Sequence, residues 1–384
     1  MAERFRLTLA QLNPTVGAIT DNIAKARAAW EDGKAAGADM VALPEMFVTG
    51  YQTQDLVRRP AFHRDAMAAV EALAASVADG PALGIGGPWA EGGRLYNAYF
   101  ILRGGRIEAK IYWGAQLGKV ENVLNLVRNG QVEASVASDG HVAPYYPDIE
   151  ILGIPYLFID RKVAYDVFDG EFGRMLTDRM AEQSGIRPLP WLENGGYRHY
   201  SSNKQMETAE DMAGLKIRTM NNPVHMQIVT SLGASPTPIP WTDLYTSLQT
   251  GVVDGQENSL STFRVPKLEE VQKFIILDGH VYSVLMLAVS EKWLSSLPDD
   301  LRKVVEDAAV NYKEMNRVIS VENEEADRAY LEANGVTIID PPLSVKADFQ
   351  KKTQGPVIES LKGKVDPDLL QGLLDAVAEA EAKL

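Results

Sequence analysis

Residues 251–258, Gly-Val-Val-Asp-Gly-Gln-Glu-Asn, directly follow a segment with the apolar pattern of a helix, Trp241–Thr250. Gly251 lies where helices commonly end, because glycine adopts the left-handed conformation there without strain. Upstream, Leu215–Met220 has the composition of a buried strand and Val224–Leu232 that of a helix. The alternation of short strands with helices predicts an α/β fold.

A helix of unusual length is predicted further along the chain. No glycine or proline occurs from Asp299 to Asn334, whereas Pro298 precedes this segment and Gly335 follows it. Proline favours the first turn of a helix and glycine its end. At 1.5 Å per residue the helix would be about 54 Å long. A helix of this length usually bridges two lobes or forms a spine.

The segments between these landmarks have strand and helix patterns of ordinary length. We predict an amphipathic helix for Lys119–Asn129 and one long helix for Val163–Gln183. Three further segments, Tyr197–Ser201, Phe274–Leu277 and Tyr282–Val289, are predicted as strands.

The first part of the chain is also predicted to alternate. Arg6–Ala10 and Asp39–Leu43 have strand patterns, and Asp21–Ala36 has that of a helix with Asp21 as its N-cap. A hairpin is predicted to turn at Gly104–Gly105.

Composition and charge exclude several classes of partner. The chain has 384 residues, 46% of them hydrophobic, which suffices for two or three domains. No run of 18 apolar residues occurs, so no direct insertion into a membrane is expected. The net charge of −14 argues against nucleic acid and anionic membrane as partners. Residues 1–113 carry no net charge and the remaining 271 carry all of it, which suggests two segments of different origin.

Metal and cofactor sites are not expected. Cysteine is absent, which excludes thiolate ligands and a cysteine nucleophile. His141, His199, His225 and His280 are not spaced as metal ligands. Residues 84–87, Gly-Ile-Gly-Gly, are not followed by the βαβ unit of a dinucleotide site. We therefore predict neither metal nor cofactor.

Residues 1 to about 112 resemble the first half of the glutaminase domain of glutamine-dependent NAD synthetase, a member of the nitrilase superfamily. The resemblance is carried by the motifs at residues 10–17, 43–51 and 95–98. It implies a Glu–Lys–Cys triad, of which Glu45 matches the glutamate. The lysine would fall near Trp113, Lys110 would point to the opposite face of a strand, and the cysteine has no candidate. Glu45 is therefore interpreted as vestigial, and amide hydrolysis is not expected.

Residues from about Ile111 onward resemble the periplasmic receptors of tripartite ATP-independent periplasmic (TRAP) transporters, and the receptor domain is assigned to residues 113–384. The matching runs are residues 114–119, 215–218, 244–249 and 251–258. The resemblance implies a two-lobed receptor of the type II periplasmic-binding-protein class with interleaved lobes and a long spine helix. The family's first strand–helix–strand is missing, and residues 1–112 stand in its place as a partial nitrilase-like α/β segment. The chain is thus predicted to be a chimera with its seam near Lys110–Trp113.

The seam allows two arrangements of the first segment. Strand Arg6–Ala10 could join the receptor sheet beside Val132–Ala137, or the segment could keep its own layer around Glu45. We expect the second, because the hairpin at Gly104–Gly105 pairs locally and local pairing forms before distant pairing.

Candidate ligand-binding residues lie in the receptor-like part. Arg218 ends a predicted strand, and arginine supplies the planar pair of donors that a carboxylate accepts. An ordinary surface ion pair at the strand end is the alternative interpretation. The resemblance implies that Arg218 grips the ligand carboxylate, with Arg198 as a second polar contact and Asn258 as a hydrogen-bond donor. It also places Trp241 against the apolar face of the ligand.

Three further positions are implied by the resemblance alone. Ser138 and Asp139 fall where the first lobe lines the cleft, and Glu257 stands beside Asn258. Glu257 could contact the ligand or help to bind a cation.

The predicted function is capture of a small organic acid between two lobes that close by a hinge. The partners implied are that acid and the membrane subunits of a TRAP transporter. The resemblance implies a periplasmic location, whereas the first residues, Met1–Leu12, lack an export-signal pattern, so a cytoplasmic location stays open. A nitrilase-type amidohydrolase and a non-functional fusion are the alternatives.

Overall fold

The computed structural model describes residues 5–51, 53–91, 94–112 and 115–384. The chain divides into two compact units, of which the first ends at Gly118 and the second begins at Lys119. Trp113 and Gly114, beside which the predicted seam lies, fall outside the described residues.

Among its described residues the first unit has five strands and two helices. In chain order they are β1 (Leu7–Leu9), α1 (Ile19–Ala35), β2 (Met40–Ala42), α2 (Pro60–Ser76), β3 (Ala82–Glu91), β4 (Arg94–Arg103) and β5 (Arg106–Tyr112), with a short 3₁₀ turn at Gln54–Arg58. The sheet order is β1-β2-β3-β4-β5, parallel from β1 to β3 and antiparallel from β3 to β5.

The sequence predicted the hairpin turn of this unit correctly but not the start of its first helix. The hairpin turns at Gly104 and Gly105, both of which have positive φ, as predicted. The N-cap of α1 is Ala18, not Asp21, which lies inside the first turn, so that prediction was wrong. The start of the helix is instead held by Asn22, whose amide and Oδ1 bond the backbone of Thr15.

Strand β1 pairs with β2 and not with any strand of the second unit. The expectation that this segment keeps a sheet of its own is therefore confirmed.

The second unit contains eleven helices and seven strands among its described residues. The helices are α3 (Val120–Arg128), α4 (Asp139–Val142), α5 (Arg161–Asp169), α6 (Glu171–Ser184), α7 (Pro223–Ser231), α8 (Leu244–Gln249), α9 (Leu260–Arg264), α10 (Glu291–Ser296), α11 (Asp299–Ala333), α12 (Leu343–Leu361) and α13 (Pro367–Glu381). The strands are β6 (Ala134–Ser138), β7 (Ile186–Ser202), β8 (Lys216–Thr219), β9 (Ser235–Pro238), β10 (Gly255–Asn258), β11 (Phe274–Ser290) and β12 (Thr337–Ile339). Short 3₁₀ turns lie at Pro147–Gly153, Ala209–Met212, Trp241–Asp243 and Leu268–Glu270.

Strands β7 and β11 are 17 residues each and pair antiparallel. The end of this pair that carries β6 is called the first lobe, and the end that carries β8, β9, β10 and β12 is called the second lobe. At one end of β11, residues 285–289 pair with β6, which belongs to the first lobe. At the other end β11 pairs with β12, while β7 pairs with β10, which leads on to β8 and β9 of the second lobe. The lobes thus share two continuous strands.

Two predicted boundaries differ from the structure. The helix predicted for Val163–Gln183 is two helices, α5 and α6, interrupted at Gly170. The strands predicted for Phe274–Leu277 and Tyr282–Val289 are one strand, β11, whose register shifts between Ile276 and Val281. Asp278 and His280 interrupt the apolar pattern there, yet both are buried, and they contact Tyr200 of β7 and Glu257 of β10.

Helix α11 confirms the long helix, with 35 residues and a length of about 52 Å at 1.5 Å per residue. Asn316 fixes its middle to β7, because its side chain accepts from the Glu193 backbone N at 2.8 Å and donates to the Glu193 carbonyl at 3.0 Å. The helix is thereby anchored to one of the two strands that the lobes share.

Candidate carboxylate-binding site

Arg218 lies near the carboxyl end of β8, where β8 runs parallel to β9 and β10. The chain then turns into α7, which is capped by Asn222, since its Oδ1 accepts from the backbone N of Val224 and His225. Ligands of open α/β sheets commonly bind beyond the carboxyl ends of the strands. Arg218 thus stands where the fold leaves space for a ligand.

A cavity of about 320 Å³ opens at this point. Its lining comes from both lobes and from the strands that join them, and it includes five predicted site residues. The lining residues are Val120, Val136, Ala137, Ser138, His141, Asn194, Arg198, Arg218, Met220, Trp241, Asn258, Ser261, Thr262, Val265 and Leu285.

Arg218 carries a buried charge that has no ion-pair partner in the part of the chain that the structure describes. The residue is only 2% exposed, and its Nε donates to the Ile239 carbonyl at 2.8 Å. No carboxylate among the described residues forms an ion pair with it, and neither Nη has a described hydrogen-bond partner. Burial lowers the pKa of its guanidinium to about 10, and Glu257 only partly opposes this. A buried guanidinium in this state favours binding of an anion from the cavity.

Arg198 is in the opposite condition, because Glu257 compensates its charge. The Arg198 Nε donates to Glu257 Oε2, and Nη2 donates to Glu257 Oε1 at 2.9 Å and to the Glu257 carbonyl at 2.8 Å. Its Nη1 donates to Ser283 Oγ at 3.2 Å. Of the five N–H groups of an arginine, this leaves one on Nη1 for the cavity.

Glu257 lies behind the lining and does not reach the cavity. His280 Nε2 is 3.4 Å from its Oε2, and His280 Nδ1 is 2.7 Å from Asp278 Oδ2. Burial opposes the charge on His280, but Asp278 and Glu257 raise its pKa to about 9. Burial also opposes the charge on Glu257, yet Arg198 and the neighbouring histidines hold its pKa well below its usual range. Glu257 is thus paired with Arg198 and His280 inside the protein, and its carboxylate does not contact a ligand or cation in the cavity.

The other predicted residues divide into lining and buried positions. Asn258 ends β10 and lines the cavity, with its Nδ2 donating to Gln256 Oε1 at 3.0 Å. Trp241 opens the 3₁₀ turn before α8 and is half-buried in the lining. Ser138 ends β6 and lines the cavity from the first lobe. Asp139 is buried beside it but is not part of the lining, and burial raises the pKa of its carboxyl.

Sequence reasoning missed several polar lining residues. His141 lies three residues after Ser138, one helical turn away, and its Nδ1 is 2.7 Å from Ser138 Oγ. That spacing could have indicated it, whereas Asn194 and Thr262 reach the cavity only through the course of β7 and α9. Burial lowers the pKa of His141 to about 4; Glu121 opposes this, whereas Arg218 and Arg198 reinforce it.

The structure describes the surroundings of two of the residues considered for the triad, Glu45 and Lys110. Glu45 is exposed in the turn after β2, and Asn97 Nδ2 donates to its Oε1. Lys110 Nζ lies over the ring of Trp89, 4.4 Å from its centroid. The position predicted for the family lysine, Trp113, falls outside the described residues, and the sequence contains no cysteine.

Metal ligands and membrane spans were also sought among the described residues. No group of three His, Asp or Glu side chains there lies close enough together to hold a metal ion. None of the described helices combines the length and the apolar character needed to cross a membrane.

Two family models match the chain and overlap. The model for bacterial extracellular solute-binding proteins, family 7, matches residues 102–362. The carbon-nitrogen hydrolase model matches residues 6–154. The glutamine-dependent NAD(+) synthetase of Rhodobacter capsulatus is 67% identical over 110 residues, which are 29% of this chain and 20% of that protein. The chain therefore spans about a fifth of that synthetase.

Relatives of the larger part cover much more of their own length. A solute-binding protein of Verminephrobacter eiseniae is 36% identical over 269 residues, covering 67% of this chain and 80% of that protein. The solved structure of the sugar acid binding protein from Advenella mimigardefordensis with galactonate is 32% identical. It covers 69% of this chain and 85% of its own, with a TM-score of 0.66. A periplasmic solute-binding protein from a Polaromonas species, bound to D-erythronate, is 31% identical over 68% of this chain and 84% of its own, with a TM-score of 0.64.

The coverage of the family 7 model, the two-lobed fold and the cavity at the ends of β8 and β10 agree. The chain belongs to the bacterial extracellular solute-binding proteins of family 7, and it is a chimera that carries part of a carbon-nitrogen hydrolase domain at its N-terminal end.

Proposed function

We propose that this protein binds a small organic acid in the cavity between its lobes, with Arg218 gripping the carboxylate. The observation that carries the proposal is the state of Arg218, whose buried guanidinium has one backbone acceptor and no counter-charge among the described residues. An isolated buried charge is costly, and a carboxylate from solvent supplies the missing partner with two parallel hydrogen bonds.

The remainder of the lining suits the rest of such a ligand. Asn258 and the free Nη1 donor of Arg198 offer hydrogen bonds, and Trp241 offers an apolar face. Relatives of similar fold bind acids of this kind, among them galactonate and D-erythronate. A related protein from Shewanella oneidensis binds succinate.

Closure of the lobes is the second part of the proposal. Ser138 and His141 line the cavity from the first lobe, whereas Arg218 and Asn258 line it from the second. A ligand that contacts both lobes stabilises the closed state over the open one, and it shifts the population by that difference in affinity. The shared strands β7 and β11 and helix α11 are the elements that would bend.

Delivery to a membrane transporter in the periplasm follows from the family. Relatives of this chain are periplasmic solute-binding proteins of TRAP transporters, and we propose the same partner and location for this protein. We place the start of the receptor part near residue 113. We also propose that the hydrolase-like part is not an enzyme, because an acyl-enzyme needs a nucleophile and the chain has no cysteine.

Isothermal titration calorimetry on the full chain tests the function. The probes are galactonate, D-erythronate and succinate, and the variants are Arg218→Ala and Arg218→Lys. Loss of the buried partner should weaken binding by roughly 30-fold or more. Lysine should restore little, because it lacks the planar pair of donors.

Arg179→Lys is the matched control, since Arg179 is half-buried and pairs with Asp366 away from the cavity. It should bind like the parent. Unchanged affinity in Arg218→Ala, or binding of none of the three acids by the parent, would contradict the proposal.

A further inference from the structure

We propose that Glu257 sets the charge preference of the cavity, so that it selects acids with one carboxylate and a hydroxyl-bearing chain over dicarboxylates. The inference rests on the proposed function of Arg218 and concerns which acids that site accepts. Its basis is a count of the charges that a ligand meets.

The cavity has three ionisable lining residues, His141, Arg198 and Arg218, and no carboxylate among its described lining. Taken by residue type, this set could accommodate two negative charges. The contacts of each residue reduce that number.

Arg198 is unavailable as a second anion partner. Glu257 faces its Nε and Nη2 with both carboxylate oxygens and accepts a further bond through its backbone carbonyl. Glu257 is 1% exposed and is held from behind by His280, which Asp278 holds in turn. The Glu257 carboxylate therefore stays on Arg198 when a ligand arrives. The pair has no net charge, and Arg198 can offer the ligand only the remaining N–H of its Nη1.

His141 also provides no positive charge near neutral pH. Its Nδ1 is 2.7 Å from Ser138 Oγ, and its half-buried ring lines the same cavity as two arginines. Burial first, and then both arginines, lower the pKa of His141 to about 4 against the opposing charge of Glu121. Neutral imidazole can exchange one hydrogen bond with a ligand through Nε2.

Among the described lining residues, Arg218 is left as the single uncompensated cation. The first carboxylate of a ligand pairs with it. A second carboxylate would leave water for a cavity whose remaining polar groups are neutral or already paired, and desolvation of an unpaired carboxylate is strongly unfavourable. Buried Asp139, close behind Ser138, can only add to this penalty when it is ionised.

Neutral groups dominate the rest of the polar lining and suit hydroxyls. Asn194 accepts from Thr262 Oγ1 at 3.3 Å through its Oδ1, which leaves its amide donors for a ligand. Ser138 and Asn258 contribute further neutral donors and acceptors. Each can bond a hydroxyl group without a net charge.

The decisive experiment compares each acid with the one in which a second carboxylate replaces its terminal CH2OH group. Galactonate is paired with galactarate, and D-erythronate with meso-tartrate, because each dianion keeps the carbon number and hydroxyl stereochemistry of its monoanion. Calorimetry is carried out on the full chain at pH 7.5, with Arg218→Ala and galactitol as the tests of the carboxylate requirement.

The monoanion of each binding pair should bind at least about ten-fold more tightly than its dianion. Equal or tighter binding of the dianions, with binding still dependent on Arg218, would overturn the charge preference and leave the proposed function intact. Binding of galactitol as tight as that of galactonate, or absence of any Arg218-dependent binding, would overturn both.

Glu257→Gln tests the residue itself, because it keeps the shape and removes the charge that neutralises Arg198. The ratio of dianion to monoanion affinity should rise at least about ten-fold. Glu193→Gln is the matched control, since Glu193 is an equally buried glutamate whose carboxylate pairs with Arg161 outside the cavity. An unchanged ratio in Glu257→Gln, or an equal rise in Glu193→Gln, would refute the role of Glu257. If Glu257→Gln does not fold, the matched acids decide the preference on the parent protein.

Discussion

Replacing Arg218 by methionine should make the ligand-free protein more stable, although it removes the proposed ligand contact. Burial lowers the pKa of the Arg218 guanidinium from 12.5 to about 10. At about 1.4 kcal/mol for each pKa unit, the charged form carries a penalty of roughly 3 kcal/mol. Methionine has a similar length and no charge, so it removes this penalty.

The substitution also removes one favourable contact. The bond from Arg218 Nε to the Ile239 carbonyl is lost, at a cost of about 1 kcal/mol. The net gain is therefore about 2 kcal/mol, which corresponds to a rise in melting temperature of roughly 4–8 °C for a domain of this size.

Arg198→Met is the contrasting variant. Arg198 is as deeply buried as Arg218, but it pairs with Glu257. Its removal leaves a buried carboxylate without its partner, which typically costs about 3–5 kcal/mol. The melting temperature should then fall by roughly 6 °C or more.

Calorimetric melting at pH 7 measures both variants against the parent. All three proteins are first unfolded in guanidinium chloride, dialysed and refolded, because an acid retained from purification would stabilise the parent alone. A fall of several degrees in Arg218→Met, similar to that in Arg198→Met, would show that Arg218 has an internal partner and would refute the reasoning.

Three further predictions concern other parts of the chain. Ammonia release from glutamine should stay at background and be unchanged in Glu45→Ala, because the chain has no cysteine; release that depends on Glu45 would contradict this. The pKa of His280 is raised from 6.5 to about 9, so its contribution to stability is complete below pH 6.5 and is lost as the pH rises through 9. Urea unfolding should therefore show a free energy of unfolding that declines over this window by on the order of 3 kcal/mol, and Asp278→Asn, which removes a partner of His280, should flatten the decline. Galactonate should change the tryptophan emission of the parent and leave that of Trp241→Phe nearly unchanged; an equal response in both would place Trp241 away from the ligand.

The sequence alone was sufficient for elements whose signals are local. The long helix α11 follows from the absence of glycine and proline between Pro298 and Gly335. The hairpin of β4 and β5 follows from two adjacent glycines. The separate sheet of the first segment follows from pairing between strands that are close in the chain. The positions of Arg218, Asn258 and Trp241 in the motifs of the resembled family also predicted that the three residues line one cavity.

Patterns failed where burial and polarity no longer correspond. Strand β11 contains Asp278 and His280. Their polarity predicted a break between two apolar strands, but both residues are buried within one continuous strand. The prediction of one continuous helix over α5 and α6 was wrong for a different reason. The helical pattern of the sequence is continuous there, but the backbone of Gly170 is extended and separates the two helices.

The roles of the two arginines depended on the tertiary structure. Arg198 and Arg218 are the same residue type, 20 positions apart, and nothing local to either indicates which one lacks a partner. Glu257 lies 59 residues beyond Arg198 and reaches it because β10 pairs antiparallel with β7, whereas β8 carries Arg218 to the far side of β10. The pairing of strands distant in the chain therefore decides which arginine is neutralised, and composition and spacing along the chain do not determine that register.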